Sequence, residues 1–188
     1  MTKSLSDMTL EELLHLFPIF LVPPKEEWKE WYQEEEKALL QLLSKGEISC
    51  ISHIGSTAIP DIWAKNIVDI LLEVPETADL QYFKKQLLNA GYLLMSEDGN
   101  QMSFNKGYTE AGFAKKVFHL HLRYQGNNDE LYFRDYLREH PEVAKDYEGL
   151  KLALWKAYEH NRDAYTDAKT DFIKKYTQEA KKDYKGRY

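Results

Sequence analysis

The chain has 188 residues, 43% hydrophobic and 30% charged, with 25 Lys and Arg against 31 Asp and Glu for a formal charge of −6. That length suits one domain whose core needs no disulfide or structural metal, and the net acidity makes duplex DNA a poor partner, since sequence-independent binding leans on Lys and Arg contacts to phosphates. The longest apolar run, Leu13–Val22, is broken by His15 and Pro18 and falls short of the roughly 20 residues that cross a bilayer; no secretion signal is expected, and the lone Cys50 excludes an internal disulfide or a cysteine zinc site. A reduced cytoplasmic protein with no membrane partner is therefore expected.

In chain order, Thr9 to Glu12 reads as a capping box that opens a short helix, which Pro18 ends. Pro23 and Pro24 mark a turn. From Trp28 to about Lys45, apolar residues at Trp28, Trp31, Tyr32, Ala38, Leu39 and Leu42 recur at helical spacing, and Gly46 stops the run. Ile48–Ile54 alternates like a strand, and the β-branched run Asn66–Val74 reads as a central strand. A helix is expected over Thr77–Asn89, then strands over Gly91–Met95, Met102–Lys106 and Val117–Tyr124. After Gly126 three helices follow, the first capped by Asn127 or Asn128, the second with Pro141 at its first position, the third opened by Asn161. The sum is an α+β domain with helices packed on a mixed sheet. The last stretch, Lys174–Tyr188, carries six basic residues against Glu179 and Asp183 and reads as a solvated helix end.

Two clusters carry candidate chemistry. His53-Ile-Gly-Ser-Thr57 ends a strand in a tight small-residue turn whose amides and hydroxyls can hold phosphate oxygens; an ordinary turn is the plainer reading. Asp69, on the next strand, sits in an apolar run and must be neutralised by a cation, a metal or hydrogen bonds. Lys65, Lys106 or an arginine would serve. Glu73 shares its face, with Leu71 between them. In the second cluster His119 and His121 lie two apart on a strand, so both rings face one side, with Arg123 next. Such a pair can share a metal or act in acid–base chemistry near neutral pH. Lys106, before Gly107, and Arg134 with Arg138, one helical turn apart, are candidate phosphate ligands.

These pieces together resemble the GrpB-like (glutamate-rich protein) family, a branch of the nucleotidyltransferase superfamily. The matching residues are His53 to Pro60, Lys65 to Leu71, Phe104 to Gly107, Phe118 to Leu122, Phe133 to Arg138 with His140 and Pro141, and Arg162 to Lys169 with Phe172 and Ile173. The resemblance implies a nucleotidyltransferase-like mixed β-sheet flanked by helices, with a C-terminal helical bundle. Residues 1–125 would form the core with the N-terminal helices, and 126–188 a helical portion packed on it as one compact unit.

It further implies a nucleotide or other phosphorylated small molecule as partner, with Gly55 and Ser56 on phosphate and Asp69 on metal; the hydroxyl of Thr57 is expected to join them from the same turn. The superfamily pairs two acids as Asp-x-Asp or Asp-x-Glu, and here Leu71 takes the second place. His119 and His121 would then complete a site for Mg²⁺, Mn²⁺ or Zn²⁺ and join Asp69 as catalytic residues, with Lys106, Arg134 and Arg138 on phosphate. The expected function is nucleotide binding with metal-dependent nucleotidyl transfer to an unknown acceptor. The alternative is an inactive module that keeps the fold for a ligand or a protein partner. The family also occurs fused to dephospho-coenzyme A kinase, which points towards nucleotide or coenzyme metabolism.

Overall fold

The computed structural model describes residues 3–44 and 46–188. The capping box forms as expected: Thr9 accepts from the Glu12 amide while Glu12 bonds back to the Thr9 amide, opening α1 (Leu10–Leu16). Helix α2 spans Glu27–Leu42 and turns its Trp28, Trp31 and Leu39 inward. The expected end near Lys45 lies outside the described residues; the helix itself stops at Leu42. Five strands follow: β1 (Cys50–Ile54), β2 (Val68–Val74), β3 (Leu93–Glu97), β4 (Gln101–Thr109) and β5 (Gly112–Tyr124). Between β2 and β3 lies α3 (Leu80–Asn89), capped by the Asp79 carboxylate on the Gln81 amide.

The sheet order is β1-β2-β5-β4-β3. Only β2 and β5 run parallel; the other pairings are antiparallel, so the sheet is mixed. Alternation along each strand sorts the side chains between two faces. One face meets α2 and α3 and holds the main core, with Trp28, Trp31, Ile70, Leu72, Phe83, Phe104, Leu120 and Leu122. Each large apolar side chain buried here stabilises the fold by about 1.5–3 kcal/mol. The other face carries the polar residues, because the register sets Asp69 beside His119, Leu71 beside His121 and Glu73 beside Arg123.

The element boundaries shift by up to three residues in most places, and by more between β4 and β5. The strands expected to end at Lys106 and to begin at Val117 extend into a hairpin, with Thr109 paired to Gly112. The register shifts between Lys106 and Tyr108, and Gly107 sits there at φ 91°. This bulge inserts one residue, so the strand survives a break in its alternation.

After Gly126 there are four helices rather than three: α4 (Asp129–Glu139), α5 (Pro141–Tyr158), α6 (Arg162–Asp167) and α7 (Thr170–Asp183). The last expected helix breaks at Ala168 and Lys169. Pro141 does sit in the first turn of α5, and the Asn161 side chain does cap α6 by accepting from the Ala164 amide. Asn128 precedes α4 but does not cap it; its side-chain amide donates to the buried Glu73 carboxylate at 3.1 Å instead. Phe133, Leu137, Val143 and Tyr147 from α4 and α5 form a second apolar cluster with Ile59 and Ile62, and Phe172 and Ile173 of α7 pack against it. No described helix is long and apolar enough to cross a membrane.

Candidate functional site

The site lies on the polar face of the sheet, under α5, α6 and α7. After β1, Gly55 turns the chain at φ 70° into a short 3-10 turn, Ser56–Ala58. A Cβ at Gly55 would sit 2.4 Å from Asp69 Oδ2, so the bare backbone lies directly against that carboxylate. Asp69 Oδ1 is 3.3 Å from His119 Nδ1, and the two side chains keep 27% and 24% of their surface exposed. His119 Nε2 is in turn 2.9 Å from the Tyr108 hydroxyl. Burial by itself would raise the Asp69 carboxyl, but the His119 hydrogen bond and charge, with His121 and Lys65, outweigh it and hold the carboxyl below its ordinary value.

Four cations converge on this acid. A cleft of about 230 Å³ is lined by Ser56, Thr57, Asp69, Tyr108 and His119 together with Lys65, Lys151, Arg162 and Lys169. The ammonium groups of Lys65 and Lys169 both lie on the Tyr165 ring, 4.7 and 4.2 Å from its centre. Lys151 is only 2% exposed, donates to the Trp63 carbonyl and lies 4.8 Å from the Tyr147 ring centre. Among the described residues none of the four forms an ion pair with a carboxylate. Burial, then the charges of Lys169 and Arg162, push the Lys65 ammonium down to about 7. Burial and the Lys169 charge push Lys151 to about 7, and burial pushes Lys169 to about 8. An anion in the cleft would supply the charge that these lysines lack.

The expected residues divide. Gly55, Ser56, Thr57, Asp69 and His119 do come together at this cleft. His121 shares the face of His119 but opens on a neighbouring groove of about 520 Å³ between the Gly55 turn, α4 and α7, where its Nδ1 is 3.4 Å from Ser103 Oγ. The buried Thr57 hydroxyl shares a 2.9 Å hydrogen bond with His53 Nε2. Burial drives that imidazole down to about 4, so it is neutral at physiological pH.

Lys106 is not at the site. It precedes the bulge, so alternation turns it to the opposite face, where it meets Glu35 at 2.6 Å and lies 5.0 Å from the Tyr92 ring centre. Arg134 and Arg138 do not line the cleft either. Arg134 donates to the His53 carbonyl at 3.0 Å and Arg138 to the Ala58 carbonyl at 2.8 Å. They hold the turn from outside, and their guanidinium groups are occupied there.

The metal set implied by the resemblance does not fit this arrangement. Asp69 is the only acid among the cleft-lining residues, and Leu71 stands where the second acid would be, fully buried against Ile54 and Leu131. Both ring nitrogens of His119 are already engaged, one 3.3 Å from Asp69 and the other hydrogen-bonded with Tyr108. Among the described residues no three His, Cys, Asp or Glu side chains are grouped as metal ligands. Four neighbouring cations would also repel a divalent ion.

Sequence reasoning missed Tyr108, Lys151, Arg162 and Lys169, and weighed Lys65 only as a partner for Asp69. One signal was present. Arg162, Tyr165, Thr166 and Lys169 have the i, i+3, i+4, i+7 spacing of a single helical face, and all four line the cleft.

The sequence model of the family described as "GrpB protein" matches residues 18–179, which include every cleft residue except Phe17. The chain belongs to the GrpB family. It is 37% identical over 162 residues to the glutamate-rich protein GrpB of Alkalihalophilus pseudofirmus, covering 82% of this chain and 91% of that one. It is 36% identical over 184 residues to the protein YqkA of Bacillus subtilis, covering 95% of this chain and 52% of the other, so it spans about half the length of that relative. A more distant match, 25% identical over 182 residues and 44% of the longer chain, is the dephospho-CoA kinase of Mycolicibacterium paratuberculosis. The crystal structure of GrpB from Enterococcus faecalis superposes with a TM-score of 0.76 at 32% identity, over 88% of this chain and 99% of that one.

Proposed function

We propose that this GrpB chain binds a nucleotide, with the phosphates on Lys65, Lys151, Arg162 and Lys169 and against the Ser56 and Thr57 hydroxyls. The observation that carries the reading is the convergence of four unpaired cations on one cleft. Buried charge without a partner is costly, and a phosphate chain is the small-molecule group that neutralises several cations at once. Arginine and lysine share the work, arginine by its planar fork and lysine as a compact charge. The adjoining groove between the Gly55 turn, α4 and α7 offers Ile54, Phe133 and Ile173 to the organic part of the ligand. The likeness to a relative named dephospho-CoA kinase supports a nucleotide-bearing ligand.

Calorimetric titration at low salt with ATP, CTP, GTP and UTP tests this. The native protein binds at least one of them, and Lys169→Met weakens that binding tenfold or more, about 1.4 kcal/mol. Absence of binding to all four overturns the reading.

A second reading, a ligand-binding module without catalysis, is favoured by Leu71. Its burial against Ile54 and Leu131 leaves no place on β2 for the second acid of a polymerase-type centre. On this reading the same nucleotides bind and none is turned over.

A further inference from the structure

Anion binding by the lysines leaves one feature of the cleft unused: the line Tyr108–His119–Asp69. Asp69 Oδ1 lies 3.3 Å from His119 Nδ1, and its carboxyl is held below its ordinary value. With the imidazole hydrogen on Nδ1, towards the carboxylate, Nε2 keeps a lone pair. The Tyr108 hydroxyl lies 2.9 Å from Nε2; in that tautomer it donates to the ring and keeps its lone pairs for the cleft. The tyrosine ring is fixed between Phe17 and Phe113, at 4.7 and 5.1 Å between ring centres, and the Arg162 guanidinium lies 5.8 Å from its centre. A hydroxyl, an imidazole and a carboxylate in series are the parts of a general-base relay, here ending in a phenol beside an anion site.

We infer that Tyr108, His119 and Asp69 form a proton relay that activates a hydroxyl acceptor, water or an alcohol, for attack on a phosphoryl group held by the lysine cluster. The inference rests on the nucleotide-binding reading and gives it a reaction class. In the step, the acceptor oxygen forms a bond to phosphorus. Its proton passes to Tyr108 Oη as the Tyr108 proton passes to His119 Nε2, and Asp69 stabilises the imidazolium. The bond from phosphorus to the leaving oxygen breaks, and its electron pair stays on that oxygen. Tyr108 is the catalytic residue, His119 receives the proton through it, and Asp69 is a positioning residue that fixes the tautomer.

The probe is the p-nitrophenyl ester of thymidine 5′-monophosphate, with water as acceptor, because p-nitrophenolate departs without needing a proton. The native protein releases p-nitrophenolate. Tyr108→Phe lowers kcat by at least about 100-fold, the general-base contribution, and leaves KM within about threefold. Nitrogen-15 NMR of the native protein shows the His119 hydrogen on Nδ1, and in Asp69→Asn it moves to Nε2.

Three results overturn the relay and leave nucleotide binding standing. They are a native protein that binds the ester without cleaving it, Tyr108→Phe with kcat unchanged, or a native His119 with its hydrogen on Nε2. Failure of the native protein to bind the ester in calorimetry overturns the relay, and the nucleotide reading falls with it only where ATP, CTP, GTP and UTP also fail to bind.

Discussion

At Gly55 two requirements meet in one residue. The backbone occupies φ 70°, and the space where a Cβ would stand is taken by the Asp69 carboxylate at 2.4 Å. Alanine there is strained in its backbone and pushes Asp69 away from His119. Gly55→Ala is expected to destabilise the protein by about 1–3 kcal/mol, measured by urea denaturation, and to weaken nucleotide binding in the same preparation. Asp69 itself was legible as an anomaly, an acid in an apolar strand. The residues alone left lysines and arginines as its partners, and His119 was joined to it only beside His121, as a fellow metal ligand. The parallel pairing of β2 with β5 chose His119 over the lysines and arginines that were also candidates.

At the scale of elements, the β4–β5 hairpin decides which residues reach the cleft. Strict alternation would set Tyr108 on the same face as Phe104 and Lys106. The bulge at Gly107 re-aims it across to His119, while Lys106, one residue earlier, stays on the far face with Glu35. A Cβ at Gly107 would lie 2.4 Å from the Lys116 carbonyl, at a backbone φ of 91°. Gly107→Ala is expected to cost about 1–3 kcal/mol and to speed amide exchange in β4 and β5. An exchange pattern matching the native protein would show that the bulge tolerates a side chain. At the junction of α6 and α7 the backbone of Ala168 and Lys169 stays helical, so Lys169 keeps the face of Tyr165 four residues earlier and sets its ammonium on that ring, beside Lys65.

For the whole molecule, the cation cluster ties stability to pH. Lys65, Lys151 and Lys169 titrate near 7, 7 and 8 in the folded state against an ordinary 10.5. Between those values the unfolded chain holds more protons, so stability rises with pH from about 7 towards 10 and falls as pH drops through 7. Lys151→Met removes the most buried of the three. Its expected effect is a shallower rise, by up to about 1.4 kcal/mol per pH unit, in urea midpoints measured from pH 7 to 9.5. A slope equal to that of the native protein would mean that Lys151 titrates normally. The same linkage places strongest anion binding on the acid side of neutrality, where all four cations are charged. A net charge of −6 gave no hint of this local excess of positive charge, since totals are silent about patches.

Periodicity and capping are local, and local chemistry determined most of the elements: the capping box at Thr9, the helical spacing from Trp28, the β-branched run of β2, the Asn161 cap and Pro141 in the first turn of α5 were all readable without coordinates. The short motifs around Gly55, Asp69 and His119 were equally legible, and they sufficed to place the chain in its family. Tertiary structure alone decided which charges share a space. Lys65, Lys151, Arg162 and Lys169 come from the loop before β2, from α5, from α6 and from the junction of α6 with α7, more than 100 residues apart at the extremes. Their meeting depends on how the C-terminal helices pack over the sheet and the loop before β2, a long-range balance that neighbouring residues in the sequence do not encode.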